Sequence, residues 1–226
     1  MARPRSAGYD DQREMILARA AELFAQRGYA STSMNNVAEA CGVTKPTLYH
    51  YYRDKYDLLV TIAEDHVTRL AELVHEVEAE GLPADARLRA LVLRFVAEYA
   101  GAQDAHRVLT DDVRFLEPDD QARVLAHERE VVAGFARAIG EMRPAMATAG
   151  LTKPLTMLLF GMINWMFTWL KRDGELDYET MAPIVADLFF GGVHHVGVPD
   201  SKAPDTGAVP PGARQAPSLS HDGDKR

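Results

Sequence analysis

One short segment carries four polar side chains that could make contacts with DNA. They are Lys45, Thr47, Tyr49 and His50. Together they offer a cation, hydroxyl groups, an imidazole ring and a threonine methyl, which are the groups that bind backbone phosphates and base edges. The same residues would also suit the polar outer face of an ordinary helical hairpin, so their positioning decides between the two interpretations.

The flanking residues predict the helices that would position this segment. Ser33 is expected to cap a first helix, along which the apolar residues of 34–41 recur at helical spacing and form one buried stripe. Gly42 is expected to end that helix in the left-handed conformation. Thr44 then caps a second helix, with Pro46 in its first turn. Two short helices joined by a glycine turn are typical of a helix-turn-helix, whose second helix enters the major groove.

The remaining chain of 226 residues shows helical periodicity broken by glycine and proline, which predicts an all-α fold of about nine helices. A first helix is expected from Asp11 to Arg27, and a long fourth helix from its cap at Asp54 to about Glu80. Residues 142–150 are predicted to form a loop. Residues 1–10, with Arg3 and Arg5, are expected to form either a disordered terminus or an arm that contacts DNA.

Two C-terminal helices carry an excess of apolar residues. Between Leu155 and Leu170 the only polar side chains belong to Thr156, Asn164 and Thr168. The run is shorter than the roughly 20 residues that a membrane span needs, so no membrane helix is predicted. An apolar helix with no polar face is expected to be buried on all sides. The helices at about 152–171 and 178–192 are therefore predicted to form a four-helix interface between two copies of the chain.

The net charge of −8 is distributed unevenly. Residues 1–60 hold eight basic and seven acidic side chains, whereas residues 61–196 hold 13 and 22. The charge thus argues against a generally basic coat protein for nucleic acid but is compatible with DNA binding through one small face. The last segment, 197–226, contains five of the twelve prolines and is predicted to be a disordered tail.

Other kinds of chemistry find no support in the sequence. No glycine-rich phosphate loop, nucleophile elbow or pair of carboxylates at catalytic spacing is present, and the adjacent His194 and His195 do not share a helical face. We therefore expect no enzymatic activity, no catalytic residue, no cofactor and no metal site. The single cysteine, Cys41, excludes an internal disulfide, and no apolar signal segment follows Met1, so a cytoplasmic location is expected.

The run from Gly28 to Leu59, GYASTSMNNVAEACGVTKPTLYHYYRDKYDLL, resembles the DNA-binding domain of TetR-family transcriptional regulators. This resemblance implies a homodimer that binds palindromic operator DNA. It implies DNA contacts from the four side chains named above, and it adds Pro46 to the DNA-contacting surface. It also implies phosphate contacts from Ser33, Thr44 and Lys55. Residues 11–56 would then form the three-helix DNA-binding domain, and 57–196 a helical domain for effector binding and dimerisation.

A second run, Gly161 to Arg172 (GMINWMFTWLKR), is similar to a segment of TetR-family repressors of fatty-acid, steroid and phenylacetate catabolism, which respond to acyl-CoA thioesters. The resemblance implies a ligand pocket with seven candidate residues, although these residue types also pack protein cores and dimer interfaces. They are Phe95, Tyr99, Phe115, Asn164, Trp165, Trp169 and Arg172. The expected function is a repressor of a catabolic operon that an acyl-CoA relieves. The alternative is a repressor of a drug-efflux or stress gene that responds to an aromatic or cationic small molecule.

Overall fold

The computed structural model describes residues 7–170 and 176–197. All the regular secondary structure in these ranges is helical, so the all-α prediction is confirmed. Within these ranges there are ten α-helices, a short 3-10 helix at Val113–Phe115 and no strand. The α-helices are α1 (Ala7–Arg27), α2 (Met34–Ala40), α3 (Lys45–Tyr51), α4 (Lys55–Ala79), α5 (Ala84–Gly101), α6 (Gln103–Asp112), α7 (Pro118–Met142), α8 (Pro144–Thr148), α9 (Thr152–Trp169) and α10 (Tyr178–Val193).

The structure differs from the sequence prediction in two places. Residues 142–150 were predicted to form a loop, but they contain the additional short helix α8, which begins at Pro144 and has Met146 fully buried in the core. Helix α1 begins at Ala7 rather than Asp11, because the ring of Tyr9 packs 4.7 Å from the ring of Tyr51 and holds the first turn against α3. Residues 1–6 of the predicted arm, with Arg3 and Arg5, lie outside the described residues.

A first hydrophobic core joins α1, α2 and α3 to the N-terminal half of α4. Ile16 of α1, Val37 of α2 and Leu48 of α3 are fully buried in it, and Val37 belongs to the apolar stripe that the sequence predicted for residues 34–41. Val108 and Leu109 of α6 belong to the same core, so α6 packs directly against α1 and α4. This core holds the helix-turn-helix against the rest of the protein.

A second core joins the C-terminal half of α4 to α5, α7, α9 and α10. Its centre is aromatic, because the ring of Phe135 lies 4.8 Å from both Phe95 and Phe160. Helix α4 contributes residues up to Val67 to the first core and residues from Leu70 onward to the second. The described residues up to Val196 form one compact unit, in which α4 runs through both cores.

The apolar helix α9 is half-buried rather than fully enclosed within one chain. Leu159 and Ile163 are buried in the second core, whereas Leu158 and Trp165 on the opposite side are exposed. Over residues 7–170 and 176–197, none of the helices combines the length and the hydrophobicity that crossing a membrane requires. The predicted tail lies outside the described residues from position 198 onward.

Candidate nucleic-acid interface and ligand cavity

The helix-turn-helix forms with the caps that the sequence predicted. The Ser33 hydroxyl accepts a hydrogen bond from the backbone N–H of Asn36, and the Asn36 side chain accepts one from the Ser33 backbone N–H. Gly42 has a φ of 64°, which a residue with a side chain rarely adopts, and it turns the chain into α3. The Thr44 hydroxyl accepts from the N–H of Thr47. Both short helices thus begin at a capped N-terminus, which sets the angle at which α3 leaves the core.

Helix α3 turns the predicted contact residues toward solvent. Leu48 and Tyr52 are buried on its inner side, and the Tyr52 hydroxyl donates to the carbonyl of Arg13 in α1. On the outer side, Lys45 and His50 are exposed and Tyr49 is 48% exposed. The remaining predicted members, Ser33, Thr44 and Pro46, are exposed at the N-termini of α2 and α3, and Thr47 is half-buried. These candidate DNA contacts are therefore all at least partly accessible to solvent.

Tyr9 is a neighbour of α3 that was not predicted from the sequence. Its ring meets the His50 ring edge-on at 5.9 Å and lies against Tyr51, whose hydroxyl donates to Gln12. These contacts orient the His50 imidazole at the C-terminal end of α3. An aromatic residue two positions before the predicted start of α1 was the available indication.

Lys55 makes contacts inside the protein. Its Nζ donates to the carbonyl oxygens of Tyr29 at 2.8 Å and Ala30 at 3.4 Å, and it lies 4.2 Å from the centre of the Tyr29 ring. The ammonium group thus ties the start of α4 to the loop between α1 and α2. This geometry supports a positioning role, and the phosphate contact of Lys55 stays a prediction.

A cavity of about 190 Å³ lies between the two cores, lined by α4, α5, α6, α7 and α9. Its walls are mostly apolar, with Leu70, Val131 and Phe160 among them. Its polar lining residues include Glu128, His106 and Asn164, and burial raises the pKa of the Glu128 carboxyl above its ordinary value. The Asn164 Oδ1 atom is buried and has no hydrogen-bond partner among the described residues. A few convergent polar groups in an apolar cavity are typical of a site for a small ligand.

Two of the predicted pocket residues line this cavity and four of the others do not. Tyr99 and Asn164 lie in its wall. Phe95 is fully buried beside it in the aromatic core. Phe115 does not line the cavity, because it belongs to the 3-10 helix and its ring packs 5.4 Å from Tyr29; its ligand contact stays a prediction.

The two tryptophans do not line this cavity either, and their ligand contacts stay predictions. Trp165 is 68% exposed and Trp169 is 47% exposed, on the side of α9 that faces away from the core. They follow the helical period of the outer face, whereas Asn164 follows that of the inner face. Arg172, the seventh candidate, lies outside the described residues.

The outer sides of α9 and α10 present exposed apolar side chains on both helices. Leu158 and Leu188 are 66% and 65% exposed, and Met157 and Ile184 are also exposed. Gly191 and Gly192 leave open space beside Leu188, so another chain could approach the α10 backbone closely. Exposed apolar patches of this kind mark interaction surfaces.

A second, larger space of about 680 Å³ opens as a cleft between α1, α4 and the junction of α5 with α6. Carboxylate side chains on its rim include Glu14, Asp65 and Glu98, and the guanidinium of Arg69 pairs with Glu98 at 3.5 Å. Leu17 and Ile62 form an apolar floor. No group of three or more possible metal ligands occurs in the described ranges.

Comparisons with known proteins agree with this architecture. Residues 16–62 match the family model for bacterial regulatory proteins of the tetR family, and residues 81–193 match the model for the tetracyclin repressor-like C-terminal domain. The chain is 27% identical to the transcriptional activator FasR of Mycolicibacterium smegmatis over 193 residues, covering 83% of this chain and 85% of FasR.

Solved structures show the same similarity. A TetR-family transcriptional regulator from Bordetella parapertussis superposes with a TM-score of 0.76 at 35% identity, covering 80% of this chain and 95% of the other. AibR in complex with isovaleryl coenzyme A and operator DNA superposes with a TM-score of 0.67 at 26% identity, covering 78% of this chain and 97% of AibR.

Proposed function

We propose a specific role for this chain, which belongs to the TetR family of bacterial regulatory proteins: a repressor of a catabolic operon that an acyl-CoA releases from DNA. Family membership makes the protein a DNA-binding transcriptional regulator rather than an enzyme. The observation that carries the proposed effector is the cavity between the cores, which is largely apolar and has the amide of Asn164 in its wall.

The DNA contact is proposed to be made by the outer face of α3. Thr47, Tyr49 and His50 would face the base edges of the major groove, while Lys45, Ser33, Thr44 and Pro46 approach the phosphates near the helix N-termini. Two such surfaces in a dimer would occupy successive major grooves, about 34–36 Å apart, on a palindromic operator. We propose that α9 and α10 supply the dimer contact through their exposed apolar faces.

The effector is proposed to bind with its acyl group in the cavity of about 190 Å³ and its thioester near Asn164. The Asn164 amide can turn either its oxygen or its nitrogen toward a ligand, because a half-turn of the side chain exchanges them. The cavity walls include α4 and α6, and α6 packs on α1. An effector that favours a different position of α4 or α6 would therefore change the spacing of the two α3 helices, and a coupling of about 1–3 kcal/mol would lower operator affinity 5–150-fold.

An acyl-CoA of micromolar concentration is expected to release the protein from the DNA upstream of its own gene, whereas the matching free acid is not. Fluorescence anisotropy of labelled DNA measures the release, and a folded dimer that fails to bind this DNA at low salt would contradict the DNA-binding proposal. Equal effects of thioester and free acid would contradict the acyl-CoA proposal.

A cationic effector is the second candidate, because the larger cleft carries Glu14, Asp65 and Glu98 on its rim. A quaternary ammonium compound should then release the DNA while the acyl-CoA has no effect. Neighbouring genes for a membrane pump would favour this alternative, and genes for acyl-CoA enzymes would favour the first.

Two alanine variants separate base contacts from phosphate contacts on α3. Lys45→Ala removes an exposed cation and is expected to weaken all DNA sequences alike, reducing the slope of log affinity against log salt by about one. Thr47→Ala is expected to leave that slope unchanged and to relax sequence preference at one position, at a cost of about 1–3 kcal/mol. Binding isotherms over a range of salt, on operator and scrambled DNA, distinguish the two. Identical behaviour of both variants would contradict the assigned contacts.

A further inference from the structure

Two buried histidines separate the cavity from the cleft. His66 of α4 lines the cleft of about 680 Å³, and His106 of α6 lines the cavity of about 190 Å³. The Nε2 atom of His66 lies 3.2 Å from Nδ1 of His106, which makes a hydrogen bond between the two rings. The pair therefore forms part of the wall between the two spaces, and we refer to His66 and His106 together as the histidine partition.

The histidine partition is held in place from the side. The His106 ring stacks on the Tyr99 ring with their centres 3.9 Å apart, and both histidines are almost fully buried. Burial lowers the pKa of His66 to about 4 and, with the neighbouring His66, that of His106 to about 3, so both rings are neutral near pH 7. Two neutral rings can share one hydrogen bond without charge repulsion, so near pH 7 the hydrogen bond between His66 and His106 is maintained.

The histidine partition lies in the buried part of the cavity wall. Tyr99, Val67 and Leu70 of the lining are also buried, whereas Thr110 and Met157 are exposed. A ligand that enters from solvent past Met157 therefore meets His106 among the buried lining residues. An acyl chain would have to stop there or displace the histidines.

The volume of the cavity limits the length of such a chain. A methylene group is close in size to a water molecule, whose share of liquid volume is about 30 Å³, so about 190 Å³ holds roughly six carbon-sized groups. Each methylene that moves from water into the cavity should strengthen binding about fourfold. Chain atoms beyond that number must stay in water or push the partition apart.

We propose that the histidine partition determines effector specificity by restricting the acyl group to a short chain, of roughly four to seven carbons. This inference rests on the proposed function, because it assumes that the acyl group of an acyl-CoA occupies the cavity. It assigns His66 and His106 a role in selecting the effector. In the same way, opening the partition would join the cavity to the cleft and admit a longer chain.

A series of thioesters tests the wild-type protein directly. Butanoyl-, hexanoyl-, octanoyl-, dodecanoyl- and hexadecanoyl-CoA are titrated against the full chain by isothermal calorimetry and by release from DNA. Affinity is expected to peak near hexanoyl-CoA and to fall at least about tenfold by dodecanoyl-CoA. A dodecanoyl or hexadecanoyl thioester that binds as tightly as the hexanoyl one would overturn the proposal.

Substitutions in the partition test the assigned residues. His66→Ala and His106→Ala are each expected to move the affinity peak to longer chains, whereas His106→Phe keeps a ring against Tyr99 and should keep the short-chain peak. His75→Ala is the matched control, because His75 also lies on α4 but is exposed and pairs with Glu130. Alanine variants that fold and retain the wild-type chain-length profile would overturn the role of the partition.

The failure of this inference is distinguishable from that of the proposed function. If no thioester of any length binds, the proposed acyl-CoA effector fails and the inference fails with it. If thioesters bind and release the DNA with equal affinity across the series, the proposed function stands and the length restriction is wrong.

Discussion

Glutamate in place of Leu188 is expected to convert the protein to monomers and to reduce operator affinity by about 10²–10⁴. Leu188 is 65% exposed on the outer face of α10, beside the exposed Ile184 and two glycines that leave the backbone open. If this face is covered by a second copy, the substitution buries a carboxylate in apolar surroundings at a cost of several kcal/mol for each copy. Operator affinity falls because a monomer binds only one half-site of the operator.

Sedimentation equilibrium measures the dimer and DNA anisotropy measures the affinity. Leu125→Glu is the matched control, since Leu125 is also an exposed leucine but lies on α7, outside the two proposed interface helices. It should leave both dimer and affinity unchanged. A Leu188→Glu protein that remains a dimer would show that α10 does not form the interface, and equal loss in both variants would indicate misfolding rather than a lost contact.

Local chemistry explains why the helix-turn-helix was predictable from the sequence. Ser33, Gly42 and Thr44 act on backbone groups within three residues of themselves, so their effects do not depend on distant parts of the chain. The exposed position of His50 and the burial of Leu48 follow from helical periodicity alone.

Tertiary contacts explain what the sequence could not supply. The partners of Lys55 are carbonyl groups more than twenty positions away, and only the fold brings them to its ammonium group. For Trp165, periodicity distinguishes two faces of α9 but does not say which faces the cavity. His66 was visible as a polar residue in the apolar stripe of α4, yet its partner His106, 40 positions later, was not.

The contacts of α4 explain why this helix is expected to couple effector binding to DNA binding. Its N-terminal end is tied by Lys55 to the loop that precedes α2, and its middle carries His66 and Val67 beside the cavity and the cleft. Farther along, Val74 packs against Gly134 of α7. A change in the distance between α4 and α7 would thus move the helix that supports the helix-turn-helix.

A methyl group added at Gly134 is expected to force α4 and α7 apart. A Cβ atom at this position would lie far inside van der Waals distance of Cγ1 of Val74, which is fully buried. Overpacking of this kind costs about 1–3 kcal/mol, which lowers the melting temperature by about 2–4 °C per kcal/mol in a protein of this size. Since α4 supports the helix-turn-helix, Gly134→Ala should also change operator affinity without any effector.

The compensating variant decides whether this contact sets the position of α4. Val74→Ala alone leaves a cavity and costs stability, but in combination with Gly134→Ala it removes the clashing methyl, so the double variant should be more stable than the sum of the two single effects predicts by about 0.5–3 kcal/mol. Gly101→Ala provides the control, because a Cβ there meets no atom within 4 Å and an alanine near a helix end should be neutral or slightly stabilising. Thermal melts and operator isotherms for the wild type and the four variants give both quantities. Additive stabilities with unchanged operator affinity would mean that the α4–α7 distance does not control the DNA-binding surface, whereas recovery of both in the double variant would establish Gly134 as the residue that allows α4 its close approach to α7.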